Sequence, residues 1–215
     1  MRQILAAAAL AAVTVAASSL PAQEFEGVIT MHMAGTMRDG TPMPDIEYMT
    51  RGGKMRINAK SPMGNMGIIA VPSEKKLYML MDAQSMYMEQ PLNFTPSATA
   101  NASVAPTIVR TGKKETIAGF ECEHITITEK AVATDVCMAR GLGPFLSASA
   151  AMPGASLPGW QKALIEDGGF PLKVTKADGS TVLEVTKIEK KRLTEKMFNV
   201  PDNYTKMDMP PGRRF

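Results

Sequence analysis

Apolar or small residues at every second position open the main body of this chain. Phe25, Gly27, Ile29, Met31 and Met33 alternate with Glu26, Thr30 and His32. A period of two puts alternate side chains on opposite faces of a strand, whereas a helix would spread them around its axis. Val28 is the one apolar residue on the second face. The methionines sharpen the pattern. Twelve of the eighteen fall between Met31 and Met88, and the pairs Met31/Met33, Met79/Met81 and Met86/Met88 stand two apart. That spacing predicts a sheet with one face lined by flexible, polarizable thioethers.

Turn chemistry divides the rest into short strands. Asp39-Gly40 and two prolines punctuate 37–44, and Gly52-Gly53 sits between Ile46 to Thr50 and Lys54 to Ala59 as a hairpin signal. Ile68 to Val71, Lys76 to Met81 and Met86 to Met88 read as strands, with a turn at Asp82 to Ser85. Residues 91–106 are small, polar and proline-bounded, the composition of a flexible loop. Ile108 to Ile117 is extended and polar. Phe120 to Thr128 and Thr134 to Ala139 form a second hairpin. Phe170 to Lys176 and Thr181 to Leu193 flank Asp178-Gly179 as a third.

Helical spacing appears in one place. Pro144 opens a piece with Phe145, Ala148 and Met152 on one side, and Pro158 opens another with Trp160, Ala163 and Leu164. The expected fold is therefore mainly β (α+β): a curved antiparallel sheet or half-barrel of roughly ten strands with a two-helix insert at 144–166. A closed barrel is the alternative.

The amino terminus addresses the compartment. Arg2, the apolar run Ile4 to Ala17 and the break Ser18-Ser19-Leu20-Pro21-Ala22 have the three parts of a secretory signal peptide over 1–22, cut after Ala22. The run is short for a membrane span, and no second apolar stretch follows. The mature chain, 23–215, is expected to be a single β-rich domain, exported to the periplasm or outside the cell, soluble and not membrane-spanning. With 24 basic and 21 acidic residues the charge is nearly balanced, which excludes an electrostatic footprint for nucleic acid. Asn93, Asn101 and Asn203 head glycan acceptor triplets, which matter only in a eukaryotic host.

In an oxidising compartment the two cysteines, Cys122 and Cys137, read as a disulfide. If they stand directly opposite in the second hairpin, Phe120 faces Ala139, His124 faces Asp135, Thr126 faces Ala133, and the turn falls near Glu129-Lys130. His124 beside Asp135 has no nucleophile accompanying it, which favours a structural pair over a catalytic dyad.

Motifs for known chemistries are missing. There is no GxSxG elbow, P-loop, dinucleotide fingerprint or HExxH. Gly141-Leu142-Gly143 before Pro144 is a weak imitation of a phosphate loop. No enzyme and no cofactor are expected. The ligand-binding candidates are Met31, Met33, Met79, Met81, Met86 and Met88. Core packing alone would also explain them, since methionine fills irregular gaps. The alternatives are a cavity for a lipid or other hydrophobic ligand, a copper(I) site around Met31-His32-Met33, and an oxidant sink. On a regular strand His32 points away from Met31 and Met33, which weighs against copper.

Three segments carry a resemblance: Ile117-Ala118-Gly119-Phe120-Glu121-Cys122, Gly168-Gly169-Phe170-Pro171-Leu172 and Phe198-Asn199-Val200-Pro201-Asp202-Asn203-Tyr204. They resemble a family of exported bacterial domains of unknown function, number 4412 of that series. More distantly, the family is similar to periplasmic lipoprotein carriers, which hold acyl chains in a half-barrel under a helical lid. That resemblance bears on the fold alone and supplies no site residues. The residues themselves lead us to expect a monomeric, exported binding module with a hydrophobic ligand, such as an acyl chain, between the methionine face and the 144–166 insert. An envelope interaction protein without a small ligand is the remaining reading.

Overall fold

The alternating segments become twelve strands. These are β1 (Gly27–Met33), β2 (Ile46–Arg51), β3 (Lys54–Ala59), β4 (Met66–Val71), β5 (Lys76–Met81), β6 (Met86–Pro91), β7 (Thr107–Ile117), β8 (Phe120–Glu129), β9 (Val132–Ala139), β10 (Phe170–Lys176), β11 (Thr181–Lys190) and β12 (Thr205–Lys206). The computed structural model describes residues 25–36, 40–60, 64–92, 106–147 and 168–207. The expected signal peptide, loop residues 93–105 and insert residues 148–167 lie outside the described residues.

All twelve strands join one open, curved sheet in the order β12-β6-β5-β4-β3-β2-β1-β11-β10-β9-β8-β7. Two meanders, β1 to β6 and β7 to β11, meet where β1 pairs with β11. Every pairing is antiparallel except the two-residue β12, which runs parallel to β6. The sheet does not close, so the half-barrel expectation stands and the closed barrel does not.

Three two-residue turns set the hairpin registers. Gly52-Gly53, Ala118-Gly119 and Lys130-Ala131 each take two consecutive positive φ angles, the geometry whose twist matches that of the flanking strands. Glycine adopts it freely at 52 and 53. Lys130 and Ala131, with φ of 49° and 64°, adopt it against their own Cβ atoms.

The concave face holds the main core. It unites Leu77 and Met79 of β5, Tyr48 of β2, Ile29 of β1, Val174 of β10 and Ile125 of β8, strands far apart in the sheet order. Tyr48, Phe145 and Phe170 form a ring cluster, with Phe170 edge-on to Tyr48 at 5.2 Å and to Phe145 at 5.4 Å. Tyr48 is 1 % exposed. Its hydroxyl lies 2.8 Å from the Pro144 carbonyl oxygen, to which it donates, and accepts the Leu146 N–H at 3.1 Å.

Those two bonds correct the expected insert. No α-helix occurs among the described residues, and 143–147 have no regular structure, so no helix opens at Pro144. The Pro144 carbonyl, which a first helical turn would offer to residue 148, is satisfied by Tyr48 instead. Leu142, Phe145 and Leu146 are all buried, so the segment lies against the concave face as an irregular strap.

The convex face is covered by the chain that follows β11. Leu193 and Phe198 pack with Val28 and Met49, which accounts for the apolar residue on the second face of β1. Val200 and Tyr204 then pack on Ile69, Val71 and Leu80. Glu26 accepts the Leu193 N–H at 2.6 Å, Arg51 donates to the Leu193 carbonyl, and Arg56 donates to the Met197 carbonyl at 2.8 Å. The strap ends with Tyr204 donating to Asp82 at 2.8 Å and β12 pairing with β6.

Candidate functional site

The strand registers put the six candidate methionines on one face. Met79 stands opposite Met88, and Met81 opposite Met86. Met66 stands opposite Met81 and opposite Ala59, which faces Ile46, which faces Met31. Met33 faces Leu183, and Leu183 faces Val174, opposite Val136. Side chains in such rows stand about 4.5–5.5 Å apart at Cβ, close enough for continuous contact.

Burial divides that face. Met31 and Met79 are core residues, 3 % and 7 % exposed, and Gln90 donates to the Met79 sulfur at 3.3 Å. Met33 and Met88 are half-buried against the core. Met81 and Met86 are half-buried, and Met66 is 43 % exposed. So the face is packed in the middle of the sheet, and its thioethers become accessible toward β4 to β6. His32 takes no part: its Nδ1 lies 2.9 Å from Asp45 on the opposite face, so it does not join Met31 and Met33.

Toward the other end the same face carries a cavity of about 460 Å³ lined by Ile127, Val132, Val174 and Val182, with Glu129, Lys130 and Lys176 also in its wall. Ile127 stands opposite Thr134, and Thr134 opposite Lys176, one row beyond the Ile125, Val136 and Val174 row. Volumes of this order hold small apolar ligands. Sequence reasoning missed this cavity, because it arises only where the β8–β9 and β10–β11 hairpins pair side by side.

The cysteines are bonded, with Cα atoms 5.3 Å apart. Their register differs from expectation by two residues. Cys137 stands opposite His124, Thr126 opposite Asp135, and Thr128 opposite Ala133, with the turn at Lys130-Ala131. A slide of two leaves every side chain on its expected face. It sets Ile125 against Val136, both essentially inaccessible to solvent, where the expected register would have set Ile125 against Thr134. Apolar pairing on the concave face thus decides the register, and the disulfide spans it diagonally.

His124 touches Asp135 although the two are not opposite. Its Nδ1 lies 2.6 Å from Asp135, and its Nε2 lies 3.1 Å from Glu115 on β7. His124 is 6 % exposed. The reading of the sequence did not anticipate Glu115. The available signal was Gly112 inside an extended run, a mark of a bulge. Between Arg110 and Lys114 the β7 register shifts, and Thr111 donates its hydroxyl to the His124 carbonyl at 2.8 Å. Beyond that irregularity Glu115 stands opposite Cys122, beside the imidazole.

Residues 25–204 match the family described as Domain of unknown function (DUF4412). The chain belongs to that family. A comparison with curated proteins finds no match. Among solved structures the chain is similar to PNGF-II, at TM-score 0.49 and 15 % identity over 86 % of this chain and 32 % of that one. It therefore spans about a third of PNGF-II. It is also similar to an uncharacterized conserved protein from Thermus thermophilus, at TM-score 0.47 and 10 % identity over 86 % and 91 % of the two chains. A third likeness, at TM-score 0.45 and 12 % identity over 88 % and 61 %, is to MucB, solved in complex with MucA(peri). No described helix is long and apolar enough to cross a membrane.

Proposed function

We propose that this protein is an exported, non-enzymatic binding module that holds an apolar ligand, such as an acyl chain, on the concave face of its sheet. The observation that carries the reading is the single methionine face. Met81, Met86 and Met88 are only half-buried there, and Met66 is exposed, beside a closely packed centre. An exposed thioether row has little use in core packing alone, and its flexibility suits a greasy ligand of loose shape. The aliphatic cavity at Ile127, Val174 and Val182 extends the same face, with Glu129, Lys130 and Lys176 as its charged residues. The disulfide fits an oxidising compartment.

Each buried CH₂ of a chain contributes about 0.8 kcal/mol, so a half-enclosed chain binds measurably. An environment-sensitive fatty-acid probe should bind the full chain. Met86→Lys and Met88→Lys should weaken it about tenfold or more while circular dichroism stays unchanged, because a buried ammonium in the ligand path is costly. A wild-type protein that leaves the probe in water sinks the reading. Met66, Met81 and Met86, in one row across three strands, also make a soft-metal reading specific enough to test. Titration against a copper(I) chelator separates the two, since a lipid site leaves the chelator loaded.

A further inference from the structure

The cluster around His124 takes no part in the concave face, and its chemistry is of a different kind. Ligand atoms of Glu115, His124 and Cys137 all lie within 4.8 Å of one another. Cys122 is not one of that group, but its sulfur is bonded to the Cys137 sulfur, which is. Asp135 stands behind, with its carboxylate 2.6 Å from Nδ1 of His124.

The bonding around the imidazole has a directional meaning. A carboxylate only accepts, so Nδ1 donates its proton to Asp135. Nε2 then faces a second acceptor, Glu115, at 3.1 Å. Two acceptors facing each other need something positive between them. A proton shared between Nε2 and Glu115, or a metal ion in its place, meets that need. A histidine held by a carboxylate on one nitrogen, with the other nitrogen aimed at further donors, is also the arrangement that orients metal-bound imidazoles.

We propose that reduction of Cys122–Cys137 converts this cluster into a zinc site, with the two thiolates, Nε2 of His124 and a Glu115 oxygen as ligands and Asp135 orienting the imidazole. Two sulfurs, one nitrogen and one oxygen form a donor set that zinc takes in tetrahedral geometry, with Zn–S of about 2.3 Å and Zn–N of about 2.0 Å. The reductant is a dithiol. It passes two electrons and two protons to the S–S bond and becomes a disulfide, leaving two thiols on the protein. Zinc then displaces the two thiol protons and the proton held between Nε2 and Glu115. The ligands come from three neighbouring strands, β7, β8 and β9, so the site is held by the sheet even when the covalent bond is gone. Glu115 and Asp135 have side chains 38 % exposed, which gives an ion a route from solvent to the buried imidazole.

The test uses the full chain, oxidised and after reduction with a phosphine that is then removed. Zinc uptake is measured by competition with a chromophoric chelator, and cobalt(II) serves as a spectroscopic substitute. The reduced chain should take up one zinc per molecule. Cobalt should give tetrahedral visible bands together with near-ultraviolet thiolate charge transfer. His124→Ala and Glu115→Gln, with both cysteines intact, should weaken zinc at least about tenfold, and Asp135→Asn about 10- to 100-fold. The oxidised chain should take up none. Four results overturn the proposal: a folded reduced chain that leaves zinc on the chelator, a reduced chain that unfolds and is not refolded by zinc, equal binding by His124→Ala, or equal binding by the oxidised chain.

Discussion

Cys137 stands opposite His124, and its bond to Cys122 therefore runs diagonally across the β8–β9 ladder. The bond closes a loop of sequence separation 15. In the chain-entropy model such a loop is worth about 3 kcal/mol through its restriction of the unfolded chain. The double variant Cys122→Ala, Cys137→Ala should lose stability of that order. Urea unfolding of the variant and of oxidised wild type measures it, and coincident midpoints would show that the bond constrains nothing.

The turn inside that loop carries strain that can be relieved. Ala131 holds φ at 64°. The left-handed region costs an L-residue about 1–2 kcal/mol, part of which glycine returns as unfolded-state entropy. Ala131→Gly should stabilise the chain by about 0.5–1 kcal/mol, read as a higher thermal midpoint. A lower midpoint would mean that this turn is not left-handed in solution.

Tyr48 joins the concave core to the 142–146 strap through its hydroxyl. Tyr48→Phe removes a partner from the Pro144 carbonyl and from the Leu146 N–H, a loss of about 1–3 kcal/mol. Burial raises the phenol well above its ordinary value of 10.0. A raised folded value means that this stabilisation is fully present below the unfolded value and is lost as pH rises beyond it. Wild type should therefore lose stability above about pH 10, and Tyr48→Phe should lose less over the same range. Parallel alkaline curves for the two proteins would contradict the assignment.

Phe198 anchors the carboxy-terminal strap on the convex face, at 1 % exposure among Val28, Met49 and Leu193. Phe198→Ala should cost about 3–5 kcal/mol, as removal of a large buried ring usually does. Amide exchange should quicken first at Leu193, whose N–H is held by Glu26. Uniform exchange across the sheet with no change at the strap would argue that the strap does not depend on this ring.

Glu89 ties β12 to β6. The Lys206 ammonium, hydrogen-bonded to it at 3.1 Å, holds its carboxyl below the usual carboxylate range, with Lys76 adding to the effect. A depressed value means that the tie is present above the unfolded value and is lost as pH falls through the folded one. Exchange of the Met207 amide, bonded to the Tyr87 carbonyl at 2.8 Å, should therefore quicken in acid before the β1–β11 amides do. Simultaneous loss of both sets would show that Glu89 does not govern the edge.

Much of this architecture was legible along the chain because strand periodicity is local. The alternation from Phe25 to Met33, the Gly52-Gly53 hairpin and the pairs Met79/Met81 and Met86/Met88 each specify a strand and its two faces within a few residues. So does the partnership of Cys122 and Cys137, since only two cysteines exist. The eleven extended segments correspond one to one with β1 to β11, and the strand not anticipated is β12, too short to show a period.

What the residues could not decide by themselves was every relation that depends on which surfaces meet. The hairpin slid by two because Ile125 gains more against Val136 than against Thr134, and a slide of two leaves the face pattern unchanged. The segment at 143–147 shows helical spacing but surrenders its carbonyl to Tyr48, nearly a hundred residues earlier. Val28 looked like an exception until Leu193 and Phe198 covered it. Glu115 reaches His124 only through an irregularity in β7. Local periodicity thus determined the strands and their faces. Tertiary packing determined register, straps and clusters, because those depend on burial energies between residues that no sequence window contains together.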